Sequence, residues 1–445
     1  MENRFYLMRK NEIITLTQFN EKGEMSAYSK NFPDYAKDII PLAYRANPDK
    51  GLSEWWKERS IPLTRDQIKS FLASKGLANP EQYLVKNLGL SLTDYYWIKP
   101  VDSNLTWESV NLFENDFHDN ILLSSKEPEP DGIVAYSPNG SLQGNIEKTW
   151  TIIDNKRCLV KGNHTSTSNE SFNEVIATEI YKKQNYNNYT NYNLIHIKDK
   201  PYKYGCVCEA FTSQQLELVS AWDIITSEEK NNSTSLYTHL INVCEKHGID
   251  VNQLQQDLDL QIQVDYVLTG YDRHLKNISI LRDADTLEFI RMAPIYDSGE
   301  CLFANKPLAE NIKELQKLEI NSFVKSETKL LSLVQNRSLL DINKLPSPDF
   351  LREIYHKDEK ISDQYINKLV EWYERKIDSL DAWQHGADAY SALNKIQISH
   401  KDNLISRKKQ TKQEKINQSL AEDETMQNIT INSQNKPPAE DTPKK

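Results

Sequence analysis

Asp272-Arg273-His274-Leu275-Lys276-Asn277, followed by Ile295-Tyr296-Asp297-Ser298-Gly299, is the stretch on which the reading of this chain turns. It sets a carboxylate and a carboxamide five positions apart, then a second carboxylate between an apolar pair and a Ser-Gly turn. Phosphoryl transfer uses such groups: one Asp orients or deprotonates the attacking hydroxyl, while an Asn and a second Asp hold Mg²⁺ on the phosphates. The apolar runs 264–268, 278–281 and 289–295 put both acids at the ends of buried elements, where a rigid site can be built.

Bulk properties narrow the alternatives. The 445 residues are 38% hydrophobic, with 22 Tyr and 8 Trp, enough for a packed core. A net charge of -10 argues against general nucleic-acid binding, which relies on clustered Lys and Arg. No run approaches the roughly 18 to 20 apolar residues of a membrane span, and the start MENRFYLMRKNEII lacks a signal-peptide core. The five cysteines are scattered; Cys206-Val-Cys208 reads as buried thiols on a strand rather than as ligands. A reducing cytoplasm fits.

Working outward from the decisive stretch, the chain divides into an N-terminal accessory α+β region (1–125), a β-rich part (130–213), a helical part (214–390) and a polar tail (395–445) that reads as disordered. Residues 4–28 predict a hairpin around Asn20-Glu21-Lys22-Gly23. Asn79-Pro80 opens a helix, and Gly89 to Trp97 is an aromatic packing hub. After the Pro-rich break at 124–132, strands are expected at 133–136, 150–153 and 158–160. A helix from Glu170 to Lys183 follows, with Phe172, Ile176 and Ile180 on its buried face. Strands near 194–198 and 202–211 precede helices at 216–225, 234–247, 253–268, 309–335 and 349–385.

The chemistry falls along this order as it does in a two-lobed protein-kinase-like fold, with a β-rich small lobe and a helical large lobe. Lys161 ends an apolar strand, where it can reach phosphates if a carboxylate fixes it. Glu170 and Glu174 lie one turn apart on the next helix, so either can face it. The turn from Ser137 to Asn145, with Asn139, Gly140 and Ser141, suits covering phosphates with backbone N–H groups. Each element alone is ordinary; a strand Lys, a helix Glu, Asp272 with Asn277, and a later Asp297 rarely coincide.

Residues Val264 to Asn277 closely resemble the D-x-L-x-x-N-x-D-R-H-x-x-N signature of HipA-like serine/threonine kinases. Ala293-Pro294-Ile295-Tyr296-Asp297 resembles that family's metal-binding segment, and Leu159-Val160-Lys161-Gly162 with Asn173-Glu174 resembles its nucleotide lysine and N-E helix. Trp56 to Pro62 and Leu90 to Asp94 look like the N-terminal extension of a Firmicutes-type branch. The specific match spans about 130–305. Gly270-Tyr271 precedes Asp272 where the family often carries Asn, and the 137–145 loop is poorer in glycine than a protein-kinase loop.

The resemblance implies the following roles. ATP and Mg²⁺ are the cofactors. Lys161 contacts phosphate and pairs with Glu174; Asp272 is the catalytic acid/base; Asn277 and Asp297 bind Mg²⁺; Arg273 and His274 brace the loop. Glu209 and Phe211 lie near the adenine as a hinge. Autophosphorylation would fall on Ser137 or Ser141. A protein substrate, toxin-like growth control and a small antitoxin-like or DNA-binding partner are implied as well. Two rival readings stand beside this: a pseudokinase or nucleotide-gated interaction module whose aromatic N-terminal region is the working surface, and a Mg²⁺-dependent hydrolase using Asp272, His274 and Asp297, which leaves Lys161 unexplained.

Overall fold

Alternation of apolar and polar residues at the start of the chain produces an antiparallel meander rather than one hairpin. β1 (Asn3–Arg9) turns at Lys10, in the left-handed region, into β2 (Glu12–Phe19), which turns at Asn20–Gly23 into β3 (Met25–Tyr28). The Asn20 side chain accepts from the backbone N–H groups of Lys22 and Glu24, an Asx turn. Gly23 has φ +77°, and a Cβ there would lie 2.5 Å from the Glu81 carbonyl, so only glycine fits. The computed structural model describes residues 3–45, 48–65, 68–117, 136–165, 169–198 and 200–394.

Helices α1 (Ala36–Ile39), α2 (Pro48–Arg59), α3 (Ile68–Ser74) and α4 (Pro80–Lys86) come next. α4 starts as its sequence predicts: the Asn79 side chain caps the Gln82 N–H and Pro80 occupies the first turn. β4 (Tyr96–Pro100) then returns to pair with β1, giving the order β3-β2-β1-β4, and α5 (Trp107–Val110) closes the unit. Tyr95 and Trp97 are fully buried in its core, as the hub at 89–97 anticipates.

A second antiparallel sheet is ordered β5-β6-β8-β7: β5 (Lys148–Ile153), β6 (Lys156–Lys161), β7 (Asn193–His196) and β8 (Tyr204–Glu209). Between β6 and β7 runs α6 (Glu170–Lys183), with Phe172, Ile176 and Ile180 buried as expected. Of the strand expected at 133–136, residues 133–135 lie outside the described residues, as do 124–132 and the tail from 395. A third sheet, β11-β10-β9, joins β9 (Leu216–Ser220), β10 (Ser279–Asp283) and β11 (Phe289–Met292).

Three expected helices are corrected here. Residues 216–220 are strand β9, and only α7 (Ala221–Thr226) is helical, capped by the Ser220 side chain. Leu216-Glu217-Leu218-Val219 has the period of two, hidden because its buried alternate is Glu217. α8 (Leu236–Lys246) and α9 (Val251–Val267) follow expectation, but 309–335 holds only the single-turn helices α10 (Ile312–Leu315) and α11 (Glu327–Leu331) between loops. The last expected helix is two, α12 (Pro348–Tyr355) and α13 (Asp363–Gln384), each capped by a Ser that precedes it.

The first unit does not stand apart. Its apolar core, built on Phe5, Leu7, Trp56 and Trp97, continues into Leu142 and Trp150 beside the second sheet and Ala284 beside the third. A buried ion network crosses the same boundary: Glu217 Oε1 accepts from Arg9 Nη2 at 2.6 Å and Arg282 Nε at 2.7 Å, while Arg9 Nη1 donates to the Ala284 carbonyl at 2.7 Å. No helix among the described residues is long and apolar enough to cross a membrane.

Candidate active site

β6 lies between β5 and β8, hydrogen-bonded on both edges, so its last residue, Lys161, is held on a rigid strand. Its Nζ donates to Glu174 Oε1 at 2.7 Å and to Asp297 Oδ1 at 2.6 Å. Glu174 is on α6, and its other oxygen accepts the Ser298 N–H at 3.0 Å. Burial works against the charge on Lys161, but the two carboxylates outweigh it and hold its pKa well above the ordinary lysine value. Burial likewise opposes the Asp297 charge; Lys161 and Lys148 overcome that and keep it ionised well below the usual carboxylate range.

Asp297 has φ +57°, a left-handed conformation that a non-glycine residue adopts only when its surroundings impose it. Arg273 supplies the constraint. Its guanidinium is bidentate on Asp265 at 2.9 and 3.0 Å, donates to Ser298 Oγ at 2.8 Å, and reaches the carbonyls of Tyr296 and, at 3.3 Å, Asp297. Asp265 is buried on α9, so the bend that presents Asp297 is tied to that 17-residue helix. Arg273 itself is buried and does not line the cavity.

A cavity of about 390 Å³ opens in front of these groups. Lys161, His274, Asn277 and Asp297 line it, as do Ser141, Glu209, Phe211 and Tyr296. The Phe211 and Tyr296 rings lie 5.7 Å apart, an aromatic wall suited to a planar base. The Glu209 carboxylate points away, paired with Lys156 at 2.7 Å on the surface. Asn277 donates its amide to the Asp272 carbonyl at 3.0 Å, which leaves its oxygen as the metal-binding atom. Asn277 and Asp297 both line the cavity, and their oxygens are of the donor type that Mg²⁺ prefers.

Asp272 lies beside the cavity and does not line it. Its Oδ2 is 3.9 Å from His274 Nε2, and its Oδ1 accepts from the Asn321 amide at 3.2 Å. His274 lines the cavity, and its Nδ1 is buried without a hydrogen-bond partner among the described residues.

The loop expected to cover phosphates divides in two, and its first half is a correction. Ser137, Asn139 and Gly140 are buried away from the cavity. The Ser137 N–H donates to the Asn87 side chain at 2.7 Å, Asn139 Oδ1 accepts the Trp150 N–H at 2.7 Å, and a Cβ on Gly140 would stand 3.5 Å from Leu84 Cα. That half is fastened to α4, which lies far back in the sequence. Ser141 through Gly144 do line the cavity, with Ser141 Oγ donating to the Leu90 carbonyl at 2.9 Å.

Sequence reasoning missed several wall residues. Lys148 stands directly opposite Lys161 in the β5–β6 ladder and faces the same space. Burial lowers its pKa to about 8, against the pull of Asp297. Gly144, at φ +92°, makes room for it: a Cβ there would sit 2.7 Å from the Lys148 ammonium. The Gly144-to-Lys148 run into a strand was the available signal. Trp55, Glu58, Arg59 and Asp94 of the first unit also line the cavity. Arg59 is bidentate on Asp94 at 2.7 Å for both bonds and stacks on Trp55. No local pattern in α2 marks it as part of this wall.

No family model and no curated protein matches this chain. Solved structures do resemble it. The Helicobacter pylori proinflammatory kinase CtkA aligns over 54% of this chain and 90% of its own at 20% identity, with a TM-score of 0.40. HipA of Shewanella oneidensis MR-1, solved with HipB and operator DNA, aligns over 86% of this chain and 100% of its own at 13% identity, with a TM-score of 0.50. The mixed α/β chain described here thus shares its fold with HipA.

Proposed function

We propose that this chain is an ATP- and Mg²⁺-dependent protein serine/threonine kinase of HipA-like type. The carrying observation is Lys161, whose ammonium lies 2.7 Å from Glu174 and 2.6 Å from Asp297 in a cavity that Asn277 also lines. In this reading residues 130–213 act as the small lobe, 214–390 as the helical catalytic lobe and 1–125 as an accessory region. Bound Mg²⁺-ATP supplies the transferable phosphoryl group and a cation that offsets its charge.

The protein's own groups do the rest. Lys161 and Lys148 hold phosphate oxygens, Asp297 and Asn277 offer oxygens to the metal, and Phe211 and Tyr296 offer the base an aromatic wall. Asp272 takes the proton of the attacking hydroxyl; Arg273 keeps the Asp297 bend, and His274 supports Asp272. Catalysis rests on positioning and charge neutralisation. Autophosphorylation would fall on Ser141, since Ser137 is buried and bound to α4. A protein substrate and a small antitoxin-like or DNA-binding partner, by likeness to HipA with HipB, belong to the same reading.

A second reading, a nucleotide-gated interaction module, draws on Asp272 lying outside the cavity wall. Incubation with labelled ATP and Mg²⁺ separates the two. Label on protein with the wild type, lost in Asp272→Asn and Asp297→Asn, supports the kinase. Nucleotide binding with no label on any protein sinks it in favour of the module.

A further inference from the structure

The three elements that form the Lys161 triad form a second, parallel cluster. Three residues past Lys161 comes His164; four before Glu174, one helical turn, comes Glu170; three past Asp297 comes Glu300. The ligand atoms of His164, Glu170 and Glu300 all lie within 4.8 Å of one another. His164 Nδ1 is 2.8 Å from Glu170 Oε1 and 3.6 Å from Glu300 Oε1. The inner cluster has a lysine ammonium at its centre, whereas the outer one is gathered on a neutral amide. Its centre is the Asn305 side-chain nitrogen, 2.7 Å from Glu170 Oε1, 2.9 Å from Glu300 Oε1 and 3.0 Å from His164 Nδ1.

The two amide hydrogens can serve Glu170 Oε1 and Glu300 Oε1, but not the second oxygen of Glu170. Glu170 is only 2% exposed, and its second oxygen, Oε2, is buried with no hydrogen-bond partner among the described residues. A buried carboxylate oxygen left so is costly. Glu300 is held in place by Tyr271, whose hydroxyl donates to Glu300 Oε2 at 2.5 Å.

We propose that His164, Glu170 and Glu300 form a divalent transition-metal site of the zinc class, separate from the cavity that Asp297 lines, with Asn305 turning its amide oxygen inward as a fourth ligand. One imidazole with carboxylates is a zinc-type donor set, whereas Mg²⁺ is served by oxygen alone. Tetrahedral zinc with ligands at about 2.0 to 2.2 Å sets donors roughly 3.3 to 3.6 Å apart, which small side-chain movements reach from the spacing seen here. The bound ion clamps the first turn of α6 to the segment leaving Asp297. It thereby fixes Glu174 against Ser298 from outside the cavity.

Calorimetric titration of the nucleotide-free full chain with Zn²⁺ tests this, whether or not the chain is a kinase. One saturable site is expected in the wild type and in Asp297→Asn. His164→Ala and Glu300→Gln should each weaken it by about a hundredfold or more, beyond what loss of an outer-shell partner costs. Zn²⁺ should raise the melting temperature of the wild type and of Asp297→Asn but not of Glu300→Gln. Glu300→Gln is nearly isosteric and keeps the test open if His164→Ala does not fold. Absence of saturable binding to the wild type, or equal binding by Glu300→Gln, overturns the site; loss in Asp297→Asn alone assigns the ion to the cavity and also overturns it.

Discussion

Two buried ion triads hold this molecule together, and they are inverses of each other. In one, the Glu217 carboxylate lies between Arg9 and Arg282; in the other, the Lys161 ammonium lies between Glu174 and Asp297. The first is sealed, with side-chain exposures of 1 to 5%. The second is sealed on two sides only, since Asp297 is 25% exposed and faces the cavity. Burial and pairing alone therefore do not mark a functional site. The second triad differs by having an outlet and by carrying one excess negative charge that a divalent cation can offset.

The sealed triad should show the larger stability effect. Replacing Glu217 by Gln leaves two buried guanidinium groups without their counter-charge, and loss of one partner of a buried pair typically costs about 3 to 5 kcal/mol. Urea unfolding should show that loss with no change in nucleotide affinity beyond it. A loss below about 1 kcal/mol, the range of exposed pairs, would break the comparison.

Lys161→Met should do the reverse. It removes the cation from a triad that water can reach through Asp297, so unfolding shifts less than in Glu217→Gln. Phosphoryl transfer should fall about 10²- to 10³-fold, the usual effect of deleting one group that stabilises transition-state charge. Equal stability losses in the two variants would mean that the second triad is a structural lock like the first.

The two triads were not equally legible in the sequence. Lys161, Glu174 and Asp297 are polar residues embedded in apolar runs, and their order along the chain suggested that they meet. Glu217 sits in a run that reads as a helix face, and its two partners lie 208 residues before it and 65 after it. Lys148 was missed for a related reason: its position opposite Lys161 exists only once β5 and β6 pair in this register. Ser137, Asn139 and Gly140 were misjudged because what buries them is α4, a contact between distant residues that no local pattern encodes. Turns capped by their own neighbours, such as Asn79-Pro80, were readable because their hydrogen bonds are local.

Lys148 offers a pH test of the open triad. Its pKa in the folded protein, about 8, is below the ordinary lysine value, so it loses its proton as pH rises past 8. A lysine depressed in this way binds fewer protons folded than unfolded between those values, and stability gains from its deprotonation rather than suffering. Phosphate binding has the opposite sign, since it needs the charge. Affinity for an ATP analogue should fall between pH 7 and 9 in the wild type, and Lys148→Arg should flatten that fall. Lys148→Met should cost roughly 1.5 to 3 kcal/mol of binding at pH 7, the worth of a hydrogen bond to a charged group. An unchanged pH slope in Lys148→Arg would remove Lys148 from the phosphate site.

The smallest effect is expected where the first unit meets the Asp272–Asn277 stretch. Lys276, between Asp272 and Asn277, pairs with Glu58 of α2 at 3.1 Å, both side chains being over 40% exposed. Exposed pairs contribute about 0 to 1 kcal/mol and weaken with salt. Glu58→Gln should therefore leave the unfolding midpoint almost unchanged, in contrast to Glu217→Gln across the same boundary. Both residues line the cavity, however, so releasing Lys276 adds a cation facing phosphate. Nucleotide affinity should rise slightly, and the difference should vanish at high salt. A tenfold or larger, salt-independent gain would make α2 a brake on the site, and the open triad would then have a second closure besides Lys161.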